Sequence, residues 1–200
     1  LNNTNAFSNP VAFAASSGNI GNITIVDSDA ITIPSLGTIT SLTVTSGGAV
    51  VLAGITSATT LNATASGTIT DTGTLVVSGT TTLAAGTGNN ILLDDTSNNF
   101  GTVVITSGAD VTLVDTNAID LGASTVTGAL DVTSGAGITD SGALSVGTTS
   151  RFEVAGTNDI TLDSTGTYTG AVTFAATSGN IGNITIVDSG AITIAALGTI

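Results

Sequence analysis

Residues 11–39 of this 200-residue chain are written a second time at 172–200, and no other feature restricts the fold as strongly. Over the 27 positions of FAASSGNIGNITIVDSDAITIPSLGTI and FAATSGNIGNITIVDSGAITIAALGTI, only Ser16, Asp29, Pro34 and Ser35 change, at an offset of 161. A weaker recurrence at 69 pairs Asp71, Leu75, Val77, Ile91 and Leu93 with Asp140, Leu144, Val146, Ile160 and Leu162, and a third at 92 relates Leu1, Val11 and Phe13 to Leu93, Val103 and Ile105. These offsets are 7, 3 and 4 times 23, so a solenoid turn averaging about 23 residues is expected, with seven turns in the long repeat. Single turns must vary. Val50 and Leu52 repeat Ile31 and Ile33 at an offset of 19, and VDSDAITI matches VDTNAIDL at an offset of 88. Coils of roughly 19–25 residues accommodate both.

Within each coil the pattern is strand, corner, strand. Ile23 and Ile25 flank Thr24, a polar Asp-Ser-Asp corner follows, and Ile31 and Ile33 then flank Thr32. Such period-two alternation marks a strand with one buried face. It returns at Leu42 and Val44, Leu75 and Val77, Val111 and Leu113, Leu130 and Val132, Leu144 and Val146, and Ile184 and Ile186. Two inward residues per strand cannot make a core alone, so coil must stack on coil. Residues 1–200 are therefore read as one continuous β-solenoid segment of a longer repeat protein.

Composition supports this and closes off other classes. Threonine supplies 40 residues, only 8% of the chain is charged, and Cys, Met, Trp, His and Lys are absent. β-Branched and very small side chains suit pleated strands and tight corners. No segment approaches the ~20 apolar residues of a spanning helix, and no signal peptide is visible. The formal charge of -13, from 13 Asp and Glu153 against Arg151 alone, disfavours nucleic acid and anionic membranes.

The blocks SGTITDTGTLVVSGTTTLAAGTGNNILLDD, ITSGADVTLVDTNAIDLGAS and AGITDSGALSVG resemble the repeats of filamentous-haemagglutinin-like exoproteins, the giant secreted adhesins of Gram-negative bacteria. The resemblance covers essentially the whole chain and rests on rhythm and recurring phrases, not on an invariant site. It implies a right-handed parallel β-helix, export across two membranes, an extracellular location, secreted or attached to the cell surface, and a part in adhesion or surface architecture.

Parallel β-helices also carry carbohydrate-active enzymes, but a polysaccharide lyase needs Lys or Arg beside a carboxylate cluster, and this chain has one Arg. The carboxylate pairs Asp94 with Asp95 and Asp27 with Asp29 are the nominal glycosidase candidates. Adjacent strand residues face opposite sides, and Gly190 replaces Asp29 in the second copy, so no catalytic residue and no cofactor are assigned. Asp27, Asp71, Asp115, Asp140 and Asp188 fall at corners, where they are expected to cap turns. Calcium at these acidic corners is the alternative, although the glycine-rich calcium-loop phrase is missing.

Among the remaining residues, Asn19 and Asn22, recurring as Asn180 and Asn183, suggest a hydrogen-bonded ladder. Asn22, Asn62 and Asn183 fit the N-glycosylation pattern, as chance allows in so Thr-rich a chain. Arg151 and Glu153 are expected outward on one strand, and Phe7, Phe100 and Tyr168 are expected to be core or corner plugs. The expected function is a non-catalytic stalk of a bacterial extracellular adhesin or surface fibre, with contacts to a host or neighbouring-cell surface or to carbohydrate made elsewhere in the parent chain. Its alternative is a subunit that assembles end to end or laterally into a sheath, filament or matrix. An ice-binding solenoid using Thr-x-Thr rows is a further alternative.

Overall fold

The structure is a computed structural model that describes residues 1, 5–7 and 11–200. Among these the chain forms 21 strands and no helix, every pairing being parallel. One nine-stranded sheet, here face 1, takes one short strand from each coil, beginning with Ile31–Ile33, Val50–Leu52 and Ile69–Asp71 and ending with Thr193–Leu197. A twelve-stranded sheet supplies the other two faces. Its strand Leu36–Ser46 shows why one sheet makes two faces. The buried residues Leu36, Ile39 and Leu42 are three apart, then Leu42, Val44 and Ser46 are two apart, so the chain turns near Thr40. Face 2 takes 36–39, Ile55–Ala58 and Ile138–Asp140, and face 3 takes 41–46, Thr60–Ala65 and Leu144–Val146.

Registered neighbours count the coils. On face 1 the column runs Ile31, Val50, Ile69, Ile91, Val111, Leu130, Ser150, Val172, Ile194. Eight steps thus carry the chain from Ile31 to Ile194, an average of about 20 residues per coil. Single steps range from 18, between Val103 and Leu121, to 24, between Ile160 and Ile184. The expected average of 23 and the expected seven coils are thus corrected. The 161-residue repeat occupies eight coils and falls two residues short of them, so that Ile194, the copy of Ile33, stands in the column of Ile31. A slip of two keeps every side chain on its side of the strand.

The 69-residue repeat explains why 23 misled. The phrase Ile69–Asp71 lies on face 1, and its copy Ile138–Asp140 lies on face 2. Leu75 opens a face 2 strand while Leu144 opens a face 3 strand, and Val103, on face 3, is answered by Val172 on face 1. This repeat therefore advances about three coils and one further face. The recurring phrase specifies a strand and its corner, and any of the three corners accepts it.

Every inward pair read from alternation is buried, Ile23 and Ile25 through Leu144 and Val146, except Ile184 and Ile186, which are partly covered in the last coil. The core is one continuous column of Ile, Val and Leu, and near one end Phe152 stacks on Phe174 and meets Tyr168 edge to face. Each such aliphatic side chain adds roughly 1.5–3 kcal/mol on burial, and a neighbouring coil must be present on both sides to supply it.

Candidate functional site

The corner aspartates are the most chemically distinctive groups of the molecule, and they act between coils. The Asp27 carboxylate accepts the backbone N–H of Phe7 at 3.1 Å, Asp115 that of Phe100 at 2.6 Å, and Asp188 that of Tyr168 at 3.1 Å. In all three cases the donor lies in the preceding coil. The residue after each aspartate also donates its N–H to the carbonyl two positions before the aromatic, Ser28 to Asn5, Thr116 to Asn98 and Ser189 to Gly166, at 2.6–2.9 Å. The V-D-[ST] phrase is thus a latch that holds an aromatic plug of the coil above. Phe100 and Tyr168 are buried, and Phe7 packs partly buried against the core. The plug reading holds for all three. Sequence spacing concealed the latch, because the separation of aromatic and aspartate is not constant: 20, 15 and 20.

The T-D-[ST] phrase points the other way. Asp71 accepts the N–H groups of Asp94 and Asp95, and Asp140 those of Asp163 and Ser164, all in the following coil. Asp71 also accepts from Asn98 Nδ2 at 2.6 Å, while Asn98 Oδ1 takes the N–H of Leu75 at 2.8 Å. Asn98 is fully buried and was not singled out by sequence; its neighbours in the NN doublet carry no hydrophobic rhythm that would have revealed it. Burial pushes the carboxyls of Asp71, Asp115 and Asp140 above the ordinary 3.8, against the opposing hydrogen bonds. Burial, with Asp140 and Asp188 nearby, also raises the Tyr168 phenol. Tyr168 OH and Asp140 Oδ2 are buried without a hydrogen-bond partner.

The nominal carboxylate pairs do not form paired sites. Asp27 is buried and Asp29 is exposed. Asp94 is exposed, and Asp95 is occupied by the Thr74 hydroxyl and the Ser97 N–H. Among the described residues no group of three or more His, Cys, Asp or Glu side chains is placed to hold a metal ion, and no helix is long and apolar enough to cross a membrane. Arg151 reaches outward to Glu153, its neighbour on the strand, and at 3.0 Å to Asp131 in the adjoining coil. Sequence had named only Glu153. The guanidinium is raised because these two hydrogen-bonded carboxylates outweigh partial burial.

The asparagine ladder does not form. Asn22 stands in register with Ser41, whose hydroxyl donates to Asn22 Oδ1 at 2.8 Å, and Asn183 donates to Asp159. An asparagine in every coil at one position would be needed, and the register places Ser and Thr there instead.

The outer surfaces differ in charge. Face 1 carries Asp131, Arg151 and Glu153, and face 2 carries Asp120, held by the hydroxyls of Thr102, Thr139 and Ser141. Asp71, Asp94, Asp95, Asp115 and Asp159, five of the 13 aspartates, line the edge where faces 1 and 2 meet. On face 3, one outward row runs Thr24, Thr43, Asn62, Thr82, Val104, and a second runs Val26, Thr45, Thr64, Ala84. Lower coils add Thr125, Ser145 and Thr167. Among the described residues no charged side chain stands in these rows from Thr24 to Thr167; Asp120, in register with Thr102, borders them on the side of face 2. Along the two rows the Thr-x-Thr pair expected of an ice-matching face is complete at Thr43 and Thr45 and is broken by Val26, Asn62, Ala84 and Val104, while Thr80 with Thr82 and Thr125 with Thr127 fall out of line with it.

A family described as repeats of unknown function (DUF5649) matches residues 39–107 and again 108–175. The two matches abut, and each has, to within one position, the length of the repeat that advances three coils and one face. No curated protein and no solved structure matches the chain.

Proposed function

Because the chain belongs to this family of repeats, which fills most of its length as a β-solenoid, we propose that it is a structural repeat region, the stalk of a bacterial extracellular adhesin or surface fibre. The observation that carries the reading is the unbroken column from Ile31 to Ile194: nine strands in parallel register with nothing interrupting the stack. A catalytic solenoid commits a stretch of its surface to converging acids and bases. Here the buried carboxylates point at backbone N–H groups of neighbouring coils and serve cohesion. The filamentous-haemagglutinin-like rhythm of the repeats supports the adhesin and cell-surface part of the reading.

The repeat itself provides the test. Residues 198–200 copy 37–39, so a chain in which residue 200 is followed by a second copy of 40–200 continues the repeat without a seam. Eight further coils at ~4.8 Å each should lengthen the particle by ~38 Å at constant width, seen by electron microscopy and by a ~4.8 Å axial reflection. A second globule beside the first, or a thicker particle of unchanged length, would remove the stalk reading. Attachment to cells by this segment alone would replace the stalk role with direct binding.

A further inference from the structure

We propose that face 3 is the side along which two copies of this chain pack lengthwise. The inference rests on the fibre reading above and adds where fibres touch. Each copy carries a formal charge of -13, so any lateral contact between copies must avoid bringing carboxylates together. Faces 1 and 2 cannot meet their equals without burying Asp131 and Glu153, or Asp120, against like charges. Face 3 can. Its outward positions are Thr, Val, Ala, Ser and Asn, and the edge bearing five aspartates is the one edge that face 3 does not share. On the edge it shares with face 1, Asp27 and Asp188 turn to backbone N–H groups, Asp110 holds the N–H of Ala129 and Asp29 is exposed; on the edge it shares with face 2, Asp140 is buried, Asp120 is held by three hydroxyls and Asp163 is exposed, so the carboxylates flank the threonine rows and do not stand in them. With face 3 against face 3, the two edges of five aspartates lie roughly 30 Å apart, several Debye lengths at physiological salt.

The area is sufficient. Eight strands at ~4.8 Å spacing and about five residues of width at ~3.3 Å give about 600 Å² per copy, on the order of 1,200 Å² in all, at the lower bound of stable interfaces. A parallel sheet presents its rows flat and evenly spaced, so two such faces interdigitate methyls while the threonine hydroxyls pair across the seam or with trapped water. Because the rows continue coil after coil, the area grows with the number of repeats. A long rod pairs more firmly than a short one.

The chain has no cysteine, so single substitutions report contact directly. Thr45→Cys, Thr64→Cys and Thr125→Cys place a thiol outward on face 3, and Thr32→Cys and Thr56→Cys place the same group outward on faces 1 and 2. Under mild oxidation the face 3 variants are expected to form disulfide-linked dimers at least tenfold faster than the two controls. The double variant Thr45→Asp with Thr64→Asp should lose lateral dimers in sedimentation while keeping the circular dichroism of the parent chain. Equal rates on all three faces, or faster linkage at Thr32 or Thr56, would overturn the proposal. So would thermal hysteresis or polysaccharide binding by a chain whose face 3 thiols link no faster than the controls, since the face would then have another occupant. Rods with the ~4.8 Å spacing that never pair would leave the stalk standing and remove only this inference.

Discussion

Asp115 and Asp140 each end a strand at a corner, and yet they are expected to tolerate asparagine differently, because they spend their oxygens differently. Asp115 uses one oxygen for the N–H of Phe100 and the other for the N–H of Asn117, at 2.6 and 2.8 Å. Asparagine has a single acceptor oxygen, so Asp115→Asn turns an N–H donor against an amide donor and should cost about 1–3 kcal/mol. Asp140 accepts both of its N–H bonds on Oδ1, and its Oδ2 is buried unpartnered near the carboxylates of Asp163 and Asp120. Asp140→Asn keeps the bonds and removes a buried charge, so its melting temperature at neutral pH should equal or exceed that of the parent. Thermal melts of the two variants check the contrast, and equal losses would show that the oxygens are interchangeable. The same groups set the pH dependence. Burial raises the folded carboxyls of Asp71, Asp115 and Asp140 above 3.8, so the folded chain holds protons that the unfolded chain has released. That stabilisation is complete below pH 3.8 and fades as pH climbs through the folded values, and neutralising the -13 charge acts in the same direction. The chain should therefore melt higher near pH 4 than at pH 7, the reverse of ordinary acid denaturation, and a lower melt at pH 4 would contradict the burial assigned to these groups.

Corners repeat as two-coil units. After the V-D-S corner of Asp27, the next coil brings Ser46, whose hydroxyl donates to Asp29 O and accepts from Gly48 N; after the V-D-T corner of Asp115 comes Ser134, bonded in the same way to Asn117 O and Ala136 N. The glycines that follow, Gly47 and Gly135, lie so close to the coil above that a Cβ would sit on the carbonyl oxygens of Ser28 and Thr116. Gly47→Ala or Gly135→Ala should push adjacent coils apart and cost about 1–3 kcal/mol, whereas Gly21→Ala meets nothing within 4 Å and should be silent. Limited proteolysis near each corner reads the difference. Strands and their buried faces were legible because period-two alternation is local: Ile25, Val44 and Leu144 are buried, and Thr24 and Thr43 face outward, as the alternation requires. Coil length was not legible. A repeat that advances by three coils and one face shows its true period only once strands are paired, and the aromatic latches at spacings of 20 and 15 cross coils of different length. The carboxylate corners were found by composition, but their partners in adjoining coils depend on that same register.

A stack in which each coil touches only its two neighbours has no central core to unify it, so its stability should vary along the axis. The middle coils are covered above and below, and Leu42, Leu61, Leu83 and Leu113 are fully buried. The last coil is covered on one side only: Ile194 and Leu197 are 43% and 52% exposed, and together with Phe174, Ile184 and Ile186 they border an open apolar cavity. In the first copy of the same sequence Ile33 and Leu36 are the counterparts of Ile194 and Leu197, and the coil of 41–58 closes over them to leave 1% and 4% exposed. The two copies are nearly identical in sequence, and what separates them is the covering coil and the two-residue slip in register. Amide hydrogen exchange should show this as a gradient, with least protection in Ile184–Asp188 and Thr193–Leu197 and most in the strands between Leu42 and Val132. In the seamless chain that continues from residue 200 into a second 40–200, the protection of Ile184–Asp188 and Thr193–Leu197 should rise to that of Ile20–Asp27 and Ile31–Ile33. Protection that stays low after this extension would mean that the two-residue slip between repeat and coil weakens the second copy, and that the solenoid cannot carry its repeat indefinitely.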